Sequence, residues 1–262
     1  MVGWYNLGGC PIHKGWRMNS FVIVIPSYQN SQWCEKTLMS VLAQEYPSFR
    51  AIYSDDCSTD GTADEVERLL VKHDKDKRVT LIRNTERLYA VHNIYNMVHS
   101  CDDNEIIVML DGDDWLANAN VLNRLNEEYE KGVWITYGQY ISHHDREIGC
   151  SCPIPTGIIE TGLFRRYRWC SSHLRTFYAW LYKKIRPEDL MHNGQWLQMS
   201  GDLAAMFPML EMAGPKQSFI PDILYEYNYT SPINDGKINR NLQIELERKI
   251  RSMPQYSRII ER

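Results

Sequence analysis

From residue 20 the chain alternates two hydrophobic patterns. Unbroken apolar runs of strand length open "FVIVIPSY", which Pro26 stops, and "EIIVMLDGDD". "FRAIYSDD" and "RVTLIRN" supply two further strands between them. The intervening segments carry apolar residues at helical spacing. "WCEKTLMSVLAQ" puts Leu38, Val41 and Leu42 on one face. "STDGTADEVERLLVKH" opens with the cap-type residues Ser58, Thr59 and Asp60, then carries Val66, Leu69 and Leu70. "AVHNIYNMVHSC" reads as a third helix. Strands alternating with helices predict parallel βαβ units and a doubly wound α/β sheet, covered on both faces.

The second half is less regular. "VWITYGQYISHH" predicts a strand running past Gly138, "CPIPTGIIETGLFRRYRWCSSH" a loop and "LRTFYAWLYKKI" a helix. "GDLAAMFPMLEMAG" predicts a helix kinked at Pro208 and stopped by Gly214. "FIPDILYEYNY" reads as a late strand and "NLQIELERKIRSM" as an amphipathic helix. With no linker composition in view, one domain is expected over 20–240, with halves 20–140 and 141–240. An irregular extension, 1–19, would precede it and a helical tail, 241–262, would follow.

Charge and cysteines narrow the class. The formal net charge of −4 provides no basic field for nucleic acid. Seven scattered cysteines, an odd number, fit reduced thiols better than a disulfide framework. Cys150-Ser-Cys152 lacks the spacing of a zinc knuckle. The N-terminus has no apolar signal region, and "FVIVI" is too short to span a bilayer. The expectation is a cytoplasmic protein without a transmembrane segment; peripheral membrane contact and homo-oligomerisation stay open.

The chemistry gathers at two strand ends. Asp55 and Asp56 end the second strand; Asp111, Asp113 and Asp114 crowd the end of the fourth. Parallel sheets bind ligands beyond the carboxyl ends of their strands, so both clusters should meet at one edge. Converging carboxylates repel unless water or a cation compensates them. Mg²⁺ takes one or two carboxylates plus substrate phosphates. A solvated acidic turn is the plain alternative.

Three stretches in order, "VIPSYQNSQWCEKTLMSVLAQEYPSFRAIYSDDCSTDGT", "RNTERLYAVHNIYN" and "IIVMLDGDDWL", resemble the nucleotide-binding half of family 2 glycosyltransferases with the GT-A fold. "SGDLAAMFPMLEMAG" and "ILYEYN" match more loosely in the acceptor half. The resemblance implies an inverting transfer from a nucleotide-diphosphate sugar, with UDP expected, to a hydroxyl of a glycan, a lipid-linked sugar or a protein. By position it puts Pro26 and Tyr28 in the nucleoside pocket, Asp56 on the base and Arg87 near the base or diphosphate. Asp55 would be structural. Asp111 would face the ribose or the metal, and Asp113 would be the main Mn²⁺ or Mg²⁺ ligand. Asp202 aligns with the catalytic base, though Gly201 stands where the motif usually has an acidic residue. A helix N-cap is the alternative role for Asp202. Glu211 is a reserve base or a surface acid.

Other residues carry weaker expectations. Asp114, His173 and Arg175 are candidates for the cleft, the latter two just before a predicted helix in a stretch that the resemblance places there, with capping and packing as their alternative roles. Arg165, Arg166 and Arg168 could meet a diphosphate or an anionic acceptor, or form a solvated basic loop. His143 and His144, adjacent on a strand, point to opposite faces and so do not share a metal. Trp169, Trp180 and Trp196 could stack on a sugar or fill the core. The basic tail residues Arg248, Lys249, Arg251, Arg258 and Arg262 fit a solvated face better than a membrane patch. Two other functions remain: an inactive sugar-nucleotide binding protein, and a metal-dependent nucleotidyl or phosphoryl enzyme. No G-x-x-x-x-G-K-[ST] loop supports the latter. Pro-Ser-Tyr after the first strand disfavours a dinucleotide oxidoreductase.

Overall fold

The computed structural model describes residues 18–231 and 239–262. Most of the expected N-terminal extension lies outside the described residues. The first half builds as the periodicity predicts: β1 (Phe21–Ser27), α1 (Cys34–Leu42), β2 (Phe49–Asp55), α2 (Thr62–His73), β3 (Val79–Arg83), α3 (Tyr89–His99) and β4 (Ile106–Met109). A two-residue strand β5 (Trp115–Leu116), helix α4 (Val121–Tyr129) and strand β6 (Ile135–Ser142) follow. Next come α5 (Thr156–Thr161), β7 (Thr176–Tyr178), α6 (Ala179–Tyr182), the hairpin β8 (Met191–His192) and β9 (Gln195–Trp196), α7 (Gly201–Ala213), β10 (Gln217–Tyr227) and α8 (Arg240–Ser252).

The main sheet has eight strands in the order β3-β2-β1-β4-β7-β6-β10-β5. The strands β1 to β4 pair in parallel, as expected. Beyond β4 the sheet becomes mixed, because β7 pairs antiparallel to both β4 and β6. β10 then runs parallel to β6, and β5 antiparallel to β10.

The unbroken apolar strands feed two cores through the two-residue alternation of side chains. Val22, Val24, Ile107 and Met109 face one side, against α3, α6 and α7. Phe21, Ile23, Ile25, Ile106 and Val108 face the other, against α1, α2 and α4. Each fully buried side chain of this kind contributes about 1.5–3 kcal/mol. The buried stripe of α1 is Cys34, Thr37, Leu38 and Val41, while Leu42 sits at its margin.

Several expectations for the second half are corrected. "LRTFYAWLYKKI" is not one helix. Thr176 and Phe177 fill the slot between β4 and β6 as a strand, and helix begins only at Ala179. Sheet pairing overrides local helical spacing there. The expected loop at 152–173 contains α5, which ends at Gly162 in the left-handed region, φ 71°. A 3₁₀ turn over Phe164–Arg166 follows. α4, β5 and the β8–β9 hairpin were not foreseen. The fourth strand ends at Met109, short of the carboxylates. The tail is helical only to Ser252.

The arginine cluster and Glu211 also change role. Arg165 is buried and forms a two-pronged ion pair with Glu211, at 2.6 and 3.0 Å, and donates to the Ile250 carbonyl. Glu211 also accepts from the Tyr256 backbone N–H. It is neither a surface acid nor a reserve base, and Arg165 belongs to no solvated loop. Arg251 donates to the Arg165 and Tyr167 carbonyls, Lys249 to the Met191 carbonyl and Arg258 to the Ile159 carbonyl. These cations tie the tail to the domain instead of forming a purely solvated face. No helix among the described residues is long and apolar enough to cross a membrane.

Removing one partner of a buried ion pair leaves an uncompensated charge, at a cost of about 3–5 kcal/mol. Glu211→Ala is therefore expected to lower unfolding stability by that amount, read from urea denaturation. A loss below about 1 kcal/mol would show that water already screens the pair.

Candidate active site

The carboxyl ends of β1, β2 and β4 open onto a cavity of about 460 Å³. Pro26, Tyr28, Asp56, Arg87, Asp111, Asp113, Asp114, His173, Arg175 and Asp202 all line it. These ten residues therefore meet at one place, whereas Glu211, Arg165, Arg166 and Arg168 do not line it.

At one end the β1 and β2 loops are laced together. The Gln29 N–H donates to Ser58 Oγ, Asn30 N–H to Thr62 Oγ1 and Ser31 N–H to Asp60 Oδ2, each within 3.0 Å. The Asp56 carboxylate is almost buried. Its Oδ1 accepts from Asn84 Nδ2 and Leu88 N–H, and its Oδ2 from Tyr89 N–H. Two lone pairs per oxygen leave one acceptor direction on Oδ2. The Arg87 guanidinium lies 3.4 Å over the Tyr28 ring and 3.8 Å from Asp56. Asp55 turns away and accepts from the Ser58 N–H, a bond that fixes the loop.

Beyond the end of β4 the chain turns tightly, with Asp114 N–H donating to the Asp111 carbonyl. Glycine is required in this turn by close approach. A Cβ on Gly112 would meet Ser27 Cβ and Oγ at 2.6 Å. The three carboxylates then take different environments. Asp114 is buried and accepts from Tyr225 Oη at 2.7 Å and Asn228 N–H at 2.6 Å. Burial, reinforced by Asp113 and Asp111, pushes its carboxyl well above the usual range. Asp111 and Asp113 keep partial exposure to the cavity. Burial raises Asp111, against the lowering effect of Arg175 and with Asp202 adding to the rise. Burial and then Asp111 push Asp113 up to about 6. Among the described residues Asp113 makes no ion pair, so the turn carries negative charge that its surroundings only partly offset.

Tertiary structure brings the opposite wall. The Met109 N–H donates to the Arg175 carbonyl at 3.0 Å, so Arg175 extends the β4–β7 pairing beside the acidic turn. It is buried, 3.4 Å from Asp202 and 3.8 Å from Asp111. His173 stacks on Tyr225 at 4.4 Å, and burial, then Arg175, hold its imidazole well below the usual value. Both residues precede a strand, not the helix expected.

Asp202 is the second residue of α7, but Ser200 is the capping residue and no side chain caps the helix. The N-cap reading of Asp202 is thereby corrected: its carboxylate, 32% exposed, faces the cavity. Gly201 has a packing reason, since a Cβ there would meet Val91 Cγ2 at 2.3 Å.

Tyr225 and Asn228, which lock Asp114, were missed. "ILYEYN" was noted for its pattern, but no sequence spacing ties residues over 100 positions away to the acidic turn. Trp180 is core, Trp169 packs on Phe207 and Trp196 stacks on His92. His143 pairs with Glu226. Arg168 donates to Cys152 Sγ.

The profile described as glycosyl transferase family 2 matches residues 22–184, more than half of the chain. The chain belongs to glycosyltransferase family 2. It is 33% identical over 119 residues, 45% of each chain, to the Bacillus subtilis protein named putative teichuronic acid biosynthesis glycosyltransferase TuaG. It is 27% identical over 123 residues, 47% of each, to the Escherichia coli UDP-Glc:alpha-D-GlcNAc-diphosphoundecaprenol beta-1,3-glucosyltransferase WfaP. The matched regions span about half the length of these relatives. The GT-A fold is shown by S. aureus TarS in complex with UDP-GlcNAc, at a TM-score of 0.65, 16% identity and coverage of 88% of this chain and 65% of that one. A Pyrobaculum calidifontis mannosyltransferase in complex with GDP-Man and Mn²⁺ matches at a TM-score of 0.55 and 19% identity, covering 82% and 61%.

Overpacking at Gly201 is expected to cost about 1–3 kcal/mol for Gly201→Ala. Because the clash is with Val91, the double variant with Val91→Ala should be more stable than the sum of the two single losses predicts, in urea unfolding. Strict additivity would show that the Val91 contact is not what demands glycine.

Proposed function

We propose that this family 2 chain transfers a sugar, with inversion, from a UDP-sugar to an acceptor hydroxyl on a glycan, a lipid-linked sugar or a protein. The observation that carries the reading is the placement of Asp202 across one cavity from the Asp111–Asp113 pair, with Tyr28, Arg87 and Asp56 lining the same cavity. The UDP-GlcNAc of the TarS complex and the UDP-Glc in the name of WfaP support a UDP donor.

The nucleoside would enter beside Tyr28. The free acceptor direction on Asp56 Oδ2 suits an imide N–H of the base, and Arg87 would leave its stacking place to meet the incoming nucleotide. Asp113, with Asp111 beside it, would hold Mn²⁺ or Mg²⁺ against the diphosphate. Among the described residues no three His, Cys, Asp or Glu side chains group as a metal site. Two carboxylates suffice where the substrate's phosphates complete the shell, and the partly offset charge on this turn suits a cation. When bound, the cation stabilises charge gathering on the departing diphosphate. Asp202 would take the acceptor's proton as the hydroxyl attacks the anomeric carbon. A single base with no second nucleophile fits a one-step displacement. Arg175, 3.4 Å away, balances the charge of Asp202 from the protein side.

Isothermal titration of UDP is expected to show Mn²⁺-dependent binding that Asp113→Ala abolishes. Asp202→Asn should keep donor binding and lose about 10²–10⁴-fold in transfer rate. Absence of UDP, GDP and dTDP binding would overturn the proposal, and full activity in Asp202→Asn would move the base elsewhere.

A further inference from the structure

Resting on that reading, we infer that Arg175 is a positioning residue that couples the two halves of the reaction, by holding Asp202 and Asp111 at fixed places across the cleft. The guanidinium is buried between them: NH1 lies 3.4 Å from Asp202 Oδ2 and NH2 3.8 Å from Asp111 Oδ2. The donor-side carboxylate and the base thus share one internal cation.

The rest of the network explains why this cation stays in place. The second contact of NH2 is His173 Nδ1, at 3.3 Å. An arginine has no acceptor, so Nδ1 must accept and the ring proton lies on Nε2. That demands a neutral imidazole, which its buried place on the Tyr225 ring favours. Tyr225 in turn donates to Asp114 and accepts from the Asp111 N–H at 3.2 Å. A chain of contacts therefore runs from Asp114 through Tyr225 and His173 to Arg175, and returns to Asp111. The guanidinium is aimed from behind by packed rings and from below by its own backbone, paired with Met109.

Asp202 has no comparable support of its own. It sits in the first turn of α7, and it makes no cap bond to the helix. Among the described residues its ion-pair partner is Arg175. Loss of the guanidinium would free the base to turn, and would leave Asp111 and Asp202 repelling each other. Turnover should suffer while the nucleoside end of the cavity, built by other loops, stays intact.

The test compares wild type, Arg175→Met and Arg175→Lys in UDP titration with Mn²⁺ and in steady-state transfer. Expected is a fall in kcat of about 100-fold for Arg175→Met, donor affinity within about threefold of wild type, and partial rescue, of about tenfold, by Arg175→Lys. Arg175→Lys also keeps a buried cation, so it serves if the Met variant does not fold; its kcat should then fall about tenfold at unchanged donor affinity. An active wild type whose Arg175 variants turn over within about threefold would overturn this inference alone. So would a loss of donor affinity as large as the loss of kcat, which would make Arg175 a donor contact. A wild type that binds no nucleotide and transfers no sugar would instead overturn the proposed function, and this assignment with it.

Discussion

Like-charge repulsion at the end of β4 is the constraint on which the site depends. Asp111, Asp113 and Asp114 lie within four positions of a turn that is partly withdrawn from water. At short range in a protein interior such repulsion amounts to several kcal/mol. The fold resolves it three ways. Asp114 is taken into hydrogen bonds from Tyr225 and Asn228. Asp111 has Arg175 nearby. Asp113 is left partly exposed to the cavity, with no ion-pair partner among the described residues. A Cβ at Gly112 would push the whole turn off Ser27.

The mixed part of the sheet makes this arrangement available. Four parallel strands bring the loop after β2 and the turn after β4 to one edge, but they provide no opposite wall. The short antiparallel strand β7, seated against β4, supplies it by placing Arg175 beside Met109. β10, two strands further on, reaches back with Tyr225. α7 then delivers Asp202, and its close packing on Val91 of α3 explains why glycine precedes that carboxylate.

The C-terminal segment has a structural part in the same frame. Arg165 and Glu211 anchor α7 to α8 through a buried pair that also engages the Ile250 carbonyl and the Tyr256 N–H. Lys249, Arg251 and Arg258 of the tail donate to carbonyls of the domain. The helix that carries Asp202 is thus tied to Ile250 and Tyr256 through Arg165 and Glu211.

The sequence by itself determined the parallel half of the sheet, because unbroken apolar runs and helical stripes are local signals of burial. It also determined that Asp56, Asp111 and Asp113 would share one edge, since strand direction sends every loop after a parallel strand to the same side. Resemblance to the family put Asp202, His173 and Arg175 forward as cleft candidates but said nothing of their surroundings. Only the tertiary structure decided that "TFY" is a strand, because its partners β4 and β6 lie far away in sequence and outweigh its helical spacing. Only it turned Glu211 and Arg165 into a buried pair, freed Asp202 from capping and set Tyr225 behind Asp114. Charge and polarity are legible in a sequence, but which charges meet depends on long-range packing that no local period records.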